Sequence, residues 1–123
     1  MDEKLILNKG LELSLEFGPH WLQPIQSRLS TYFPTLTPDQ LDKFDSACRE
    51  TRDQGHKYLF GILRVTAKAN KKINMKDLSF QLNAFMLKHY PWIDHENLKR
   101  ILSQGMYYAY KDGLSESVLD KTS

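Results

Sequence analysis

The side chains able to do nucleophilic chemistry are few and far apart in this chain, which has one cysteine and four histidines. Cys48 and His56 share one side of a predicted helix, but eight residues place them about 12 Å apart along its axis. A cysteine–histidine pair works only within hydrogen-bond distance, so these two residues cannot form one with each other. His89 and His95 reach Cys48 only if the fold brings them there. We therefore assign no catalytic residue and expect a buried, unreactive cysteine.

Metal-binding spacings are absent from the sequence. It contains no HExxH, no CxxC and no repeated ExxH, which are patterns that place ligands around zinc or a di-iron centre. We therefore predict no metal site and no cofactor, and an enzyme is the less favoured class. Acidic residues crowd the start of the longest predicted helix: Asp39, Asp42, Asp45, Glu50 and Asp53. They indicate a solvated helix face or, alternatively, a docking surface for a basic partner.

Basic side chains line the second half of the same helix. Residues 54–111 contain ten bases and three acids, and no acid occurs from Gln54 to Lys76. Five bases lie within about one-third of the helix circumference at 100° per residue, and we call them the basic stripe: Lys57, Arg64, Lys68, Lys71 and Lys72. The stripe favours either a solvated face or the binding of nucleic acid or another polyanion. Because no nucleic-acid motif accompanies it, polyanion binding is a secondary hypothesis.

Aromatic residues concentrate near the end of the last predicted helix. Together with a tryptophan in the preceding loop, they form a candidate partner surface: Trp92, Met106, Tyr107 and Tyr110. Tryptophan, tyrosine and methionine are favoured at protein contacts, although a helix buried on more than one side has the same composition. A further candidate is a ligand or enzyme pocket between helices, lined by His89, Trp92 and Tyr108.

Helix starts are the clearest structural signals in the chain. Three polar residues have the spacing of N-caps: Thr37, Asn74 and Asp94. After the first of them, Pro38 and Gln40 predict a capping box with proline in the first turn. The helix after the second cap must end before Pro91. The helix after the third is expected to end near residues 112–113, where a glycine occurs.

The helix that begins at Pro38 is expected to be the longest. Its apolar positions follow steps of three and four residues from Leu41 to Ala69, and the phase is kept across Gly55, which favours one helix over two. Gly55 and Gly61 then mark places where another helix crosses closely. Apolar residues cover nearly two-thirds of the circumference in its second half. We therefore expect this helix to be central and exposed to water only along the basic stripe.

The N-terminal third has a mixed signal. Apolar and polar residues alternate from Leu11 to Phe17, as in a strand, but no second strand is available to pair with it. We therefore predict a helix that ends at Gly18. A second helix is expected to begin at Pro19 or Pro24 and to end just before the next proline, at Phe33.

Length and composition agree with one compact all-α domain. A chain of 123 residues with 41% hydrophobic and 26% charged residues buries a sufficient core without a metal or a disulfide. We predict a bundle of five or six helices around one long central helix over residues 1–114, followed by a polar tail at 115–123 that frays. The acidic N-terminus, the single cysteine and the short apolar runs predict no secretory signal, no membrane span and a cytoplasmic location.

Protein–protein contact is the function that these features favour most. The aromatic end of the last helix and the uneven charge along the chain predict a non-catalytic helical interaction domain, with self-association as a homodimer as one form of it. Binding of nucleic acid or another polyanion through the basic stripe is the first alternative. A small-ligand-binding protein or an enzyme with a pocket between helices is the second.

Overall fold

Five α-helices dominate a computed structural model that describes residues 2–18 and 23–119. They are α1 Glu3–Ser14, α2 Gln26–Tyr32, α3 Pro38–Lys68, α4 Met75–His89 and α5 His95–Lys111, and a 3₁₀ turn at Ser115–Ser117 follows. No strand occurs within these described ranges, so the all-α prediction is confirmed. None of the helices described is both long and apolar enough to cross a membrane.

The predicted N-caps are present at three helix starts. The Thr37 hydroxyl accepts a hydrogen bond from the Gln40 amide at 3.2 Å, and the Gln40 side chain accepts one from the Thr37 amide at 2.8 Å. Asn74 and Asp94 each accept a hydrogen bond from the amide three residues later, at 2.7 and 2.8 Å. These bonds satisfy donors that the first turn of a helix leaves unpaired, which fixes where α3, α4 and α5 begin.

Helix α3 is one unbroken helix of 31 residues, and it contacts every other described helix. Its buried face carries eight positions: Asp45, Cys48, Thr51, Arg52, Gly55, His56, Leu59 and Leu63. This face meets fully buried side chains of the surrounding helices, among them Leu11 of α1, Leu82 of α4 and Ile101 of α5. The prediction of a bundle around one long central helix is therefore confirmed.

Glycines let α3 and α5 approach each other closely. A Cβ atom on Gly55 would lie 2.7 Å from Ile101 Cγ2, and one on Gly105 would lie 2.5 Å from Leu59 Cδ2. Both distances are well inside van der Waals contact, so a larger residue at either position displaces its neighbour. The predicted close crossing is confirmed at Gly55. It is wrong at Gly61, where an added Cβ atom would meet nothing within 4 Å.

Helix α1 occupies the segment whose alternating pattern resembled a strand, so the helical interpretation is confirmed. It ends at Ser14, however, and not at Gly18. The guanidinium group of Arg52 on α3 donates a hydrogen bond to the Ser14 carbonyl at 3.3 Å. This bond satisfies an acceptor that the end of a helix leaves open. The helix end is thus supported by a tertiary contact that the local sequence does not reveal.

Helix α2 is shorter than predicted and begins at Gln26 rather than at Pro24. The residue before it is held from outside the helix, because the Ile25 amide donates to the buried carboxylate of Asp45 on α3 at 3.1 Å. This bond fixes the chain just ahead of the helix. The alternative start at Pro19 lies outside the described residues.

Residues 115–119 differ from the frayed tail that we expected there. Ser117 is buried, and its carbonyl accepts a hydrogen bond from the Ile73 amide at 2.9 Å. The Leu119 amide in turn donates to the Ile73 carbonyl at 2.8 Å. Backbone pairing with the loop between α3 and α4 therefore holds this segment, and composition gives no sign of it. Residues 120–123 lie outside the described residues.

A buried asparagine joins α1 to the loop between α4 and α5. The Asn8 side chain donates to the Trp92 carbonyl at 2.8 Å and accepts from the Asp94 amide at 2.9 Å. The Asn97 side chain donates to the Asn8 carbonyl at 2.8 Å. Because Asn8 and Asn97 are both buried, these bonds replace water and set the position of α5 relative to α1.

Candidate binding groove between α3 and α4

The surface of α3 beside α4 remains open to solvent. Val65 is 70% exposed, and Ala69 one turn later is exposed as well. Both belong to the apolar residues that cover nearly two-thirds of the circumference of α3 in its second half. Helix α4 packs against only part of that apolar surface. The expectation that α3 meets water only along the basic stripe is therefore wrong.

Two stacked rings form the floor of this open surface. The rings of Tyr58 on α3 and Phe85 on α4 lie parallel, with centroids 4.0 Å apart and planes 5° apart. Beside them, Gly61 has no side chain to fill the space. The resulting depression has a volume of about 550 Å³. Six further residues line it: Gln54, Lys57, Ile62, Val65, Thr66 and Gln81.

A second depression of about 460 Å³ continues the first toward the C-terminal end of α3. The two share three lining residues: Val65, Thr66 and Gln81. Phe80 of α4 and Leu119 also line the second depression, and they are 74% and 46% exposed. Along α3, the joined depressions extend from Gln54 to Ala69, which is about 22 Å at 1.5 Å per residue. We call them the α3–α4 groove.

Lysines stand at both ends of the α3–α4 groove. Lys57 lines the first depression, whereas Lys71 and Lys72 line the second. None of the three forms an ion pair with a carboxylate of the described residues. The Lys72 ammonium group donates to the Glu116 carbonyl at 2.8 Å, and this bond holds it at the rim. Since Asp77 is the one carboxylate among the described lining residues, the groove has a positive rim.

The basic stripe does not continue along one helix, as its spacing suggested. Helix α3 ends at Lys68, and Asn70 has a φ of 54°, in the left-handed region. The chain turns there, so Lys71 and Lys72 leave the helical phase. They stand instead at the loop end of the α3–α4 groove.

Arg64 is not among the residues that line the α3–α4 groove. Its guanidinium carbon lies 5.8 Å from the ring centroid of Phe60. At 100° per residue, Phe60 and the groove residue Tyr58 lie about 160° apart around α3. Arg64 therefore lies beside Phe60, whereas Lys57, Lys71 and Lys72 line the groove, although all four residues belong to the basic stripe.

The aromatic candidate surface is spread over the length of α5. Tyr107 and Tyr110 are 44% and 74% exposed near its C-terminal end. Met106 is half-buried and packs against the core. Trp92 is also half-buried, and it precedes the first residue of α5, whereas Tyr110 lies about 22 Å along the helix from that residue at 1.5 Å per residue. Only the tyrosines present much of their surface to solvent.

The three residues of the predicted pocket lie in two separate ring clusters. His89 and Trp92 stand on either side of Tyr90, with ring centroids 6.4 and 6.3 Å from it. Tyr108 packs instead against His56 of α3, with centroids 5.6 Å apart. The structure thus joins two of the three residues through Tyr90 and places Tyr108 against a different helix.

Cys48 is fully buried, as predicted. Its thiol donates to the Leu7 carbonyl across 3.4 Å. Burial, with a smaller contribution from the negative charge of Asp45, raises the pKa of the Cys48 thiol to about 12. A thiol with such a pKa is almost entirely protonated at neutral pH and is a poor nucleophile.

His56 is a second buried polar group on α3. Burial lowers the pKa of His56 to about 4, and the positive charge of Arg52 acts in the same direction, while Asp53 opposes both. The Nε2 atom of His56 and both amide atoms of Gln104 are buried without a hydrogen-bond partner among the described residues. Within that same part of the chain, no group of three or more potential ligands is placed to hold a metal ion.

Comparison with protein-family models, with curated proteins and with solved structures finds no match to this chain.

Sequence reasoning identified the lysines of the groove but missed its apolar surface. Two features of the sequence indicate this apolar surface. The apolar arc of α3 is wider than one core-facing side requires. In α4, Phe80 lies about 160° around the helix from the fully buried Leu78 and Leu82. An apolar residue out of phase with the buried face is the feature that marks this side of α4 as a contact surface.

Proposed function

We propose that this protein is a non-catalytic binding module that receives an α-helix of a partner protein in the α3–α4 groove. One observation carries the proposal: a continuous apolar groove about 22 Å long, flanked by Val65 and Phe80 with 70% and 74% of their surfaces exposed. Apolar side chains that are exposed in a contiguous strip typically mark an interaction site.

The shape of the groove favours a helix as its occupant. Two packed helices leave a trough in which the side-chain ridges of a third helix fit. The groove matches about 15 residues of helix, or four turns. An amphipathic helix of that length places apolar anchors at positions i, i+3, i+4 and i+7 along one face. These anchors would cover the stacked rings of Tyr58 and Phe85 and the exposed Val65.

Selection from a displayed library of 16-residue helices tests this proposal. The library carries random apolar residues along one face and glutamine at every flanking position, so that apolar contact alone is selected. We expect clones that bind the wild-type protein and lose about tenfold or more in affinity when Val65→Asp introduces a charge into the groove. Val65 is largely exposed, so this substitution leaves the core intact.

A matched pair of variants separates the groove from the aromatic surface of α5. Phe80 and Tyr110 are both 74% exposed, and they stand on different helices. Loss of binding in Phe80→Ser but not in Tyr110→Ser supports the groove. The reverse result assigns binding to α5 and contradicts the proposal, as does the absence of any binding clone. Light scattering shows whether the wild type is a dimer, and a dimer that Val65→Asp dissociates would make a second copy the occupant.

A further inference from the structure

We infer that the partner helix carries carboxylates in its first and last turns, at the two ends of the groove, and uncharged side chains on the flank that faces α4. This inference rests on the proposed function, because it names the chemistry of the helix that the α3–α4 groove receives. Its basis is the placement of lysines at the two ends of the groove and of neutral side chains along α4.

The groove is basic at both ends, at Lys57 on α3 and in the loop that follows α3. Lys57 stands near the start of the groove, and Lys71 and Lys72 stand just beyond its other end. Their ammonium groups form no ion pair with a carboxylate of the residues that the structure describes. Lys72 uses one donor on the Glu116 carbonyl and keeps two others. These lysines are therefore available to an incoming carboxylate.

The α4 side of the groove has the opposite character. Gln81 lines both depressions and is neutral, and Phe80 and Phe85 add apolar surface. Asp77 is the single carboxylate there. A second carboxylate on a partner would be repelled by Asp77, whereas a neutral side chain would not. Negative charge on the partner is therefore disfavoured on the flank that faces α4.

The spacing of the lysines adds a further constraint. Along α3, Lys57 lies about 16 Å from Lys68, the last residue of the helix, which corresponds to roughly three helical turns, and Lys71 and Lys72 follow in the loop. A helix in the groove thus meets one basic end with its first turn and the other with its last turn. The acidic residues of the partner are expected in those two turns.

Arg64 distinguishes this inference from polyanion binding. A nucleic acid would neutralise the basic stripe as a whole, because phosphate contacts add along the backbone. A helix in the groove does not use Arg64, whose guanidinium group lies over the Phe60 ring. Lys57→Glu and Arg64→Glu therefore have the same charge change on the same helix but different predicted effects.

The test uses the neutral-flank helix selected above and two derivatives of it. One derivative carries a glutamate in its first turn and another in its last turn, and the other carries lysines at the same two positions. Fluorescence anisotropy gives the Kd of each peptide at about 0.15 M salt, where the Debye length of about 8 Å limits the effect of charges outside the groove. We expect the glutamate peptide to bind about tenfold more tightly than the neutral one, and the lysine peptide more weakly. Lys57→Glu and Lys71→Glu should each reduce this advantage about threefold, and Arg64→Glu should leave it unchanged. In 1 M salt the advantage should vanish, since the Debye length falls to about 3 Å.

The outcomes separate the inference from the proposed function. If the neutral and glutamate peptides bind equally well and Val65→Asp weakens both, the charge inference is wrong and the helix-binding groove stands. If Val65→Asp weakens neither, the groove is not the site and both fail. If single-stranded RNA binds and Arg64→Glu weakens it as much as Lys57→Glu does, the basic stripe serves a polyanion and the inference is overturned.

Discussion

The Tyr58 ring on α3 lies parallel to the Phe85 ring on α4, with centroids 4.0 Å apart and planes 5° apart. This pair joins two helices and also forms the floor of the α3–α4 groove. One face of each ring therefore contributes to packing, while the surrounding surface is open to a partner. The same side chains hold the two walls of the groove together and shape its interior.

Removing the Phe85 ring should weaken both functions of this pair. We expect Phe85→Ala to lower the free energy of unfolding by about 2 kcal/mol, which is less than for a fully buried ring because Phe85 is half-buried. Binding of the selected helix should also be lost. Tyr58→Phe keeps the ring and should change stability by less than about 0.5 kcal/mol. Urea unfolding of both variants checks this, and unchanged stability in Phe85→Ala would show that the stack does not join the helices.

Two glycines in helices should respond in opposite ways to alanine. Gly61→Ala should raise the free energy of unfolding by about 0.5–1 kcal/mol, because the new methyl group meets open space and alanine favours helix. Gly105→Ala should lower it by about 1–3 kcal/mol, since its Cβ atom would lie 2.5 Å from the fully buried Leu59. Denaturant midpoints measured side by side test the pair, and stabilisation by both substitutions would contradict the close contact between α3 and α5.

Stability should depend on pH through His56. Its pKa is about 4 in the folded protein and about 6.5 when unfolded, so the folded state disfavours the proton. The contribution of His56 is complete above pH 6.5 and is lost as the pH falls toward 4, by about 3 kcal/mol. Urea unfolding from pH 8 to pH 4 measures this. His56→Leu should flatten the profile, and equal slopes in the wild type and His56→Leu would exclude His56 as the cause.

The buried asparagine of α1 should be costly to remove. Asn8→Ala takes away the partners of the Trp92 carbonyl, the Asp94 amide and one Asn97 donor, all at the junction of α1 and α5. We expect a loss of about 2–3 kcal/mol in the free energy of unfolding, since buried polar groups are left unpaired. Asn83→Ala is the matched control, because Asn83 lies within α4 and keeps part of its surface in solvent; it should be neutral or slightly stabilising. Equal effects of the two substitutions would contradict a tie between α1 and α5.

Much of the helical framework was predictable because it depends on local signals. Thr37, Asn74 and Asp94 act as caps through bonds to residues three positions away, so their neighbours in sequence suffice. The continuity of α3 follows from a period that Gly55 does not interrupt. Helix ends that rest on tertiary contacts were missed, as at Ser14, whose carbonyl accepts from Arg52.

The apolar surface of the groove was not predictable from periodicity alone. A repeat of three and four residues shows that Tyr58, Ile62 and Val65 share one side of α3, but it does not show whether a neighbouring helix covers that side. The pairing of Ile73 with residues 117–119 joins segments more than forty residues apart, and no local pattern encodes it. The positions of Lys71 and Lys72 depend on the turn that precedes them.

Chemical-shift mapping of the complex tests the central claim most directly. The ¹⁵N-labelled protein is titrated with the helical peptide selected from the library with glutamine at its flanking positions. The wild type is measured first and Gly61→Phe second. The new phenylalanine fills the groove, because position 61 has open space around it. We predict that the largest amide shifts occur at Tyr58, Ile62, Val65, Gln81 and Phe85, and that Gly61→Phe abolishes them. Shifts concentrated at Tyr107 and Tyr110, or an unchanged titration of Gly61→Phe, would contradict the assignment of the α3–α4 groove as the binding site.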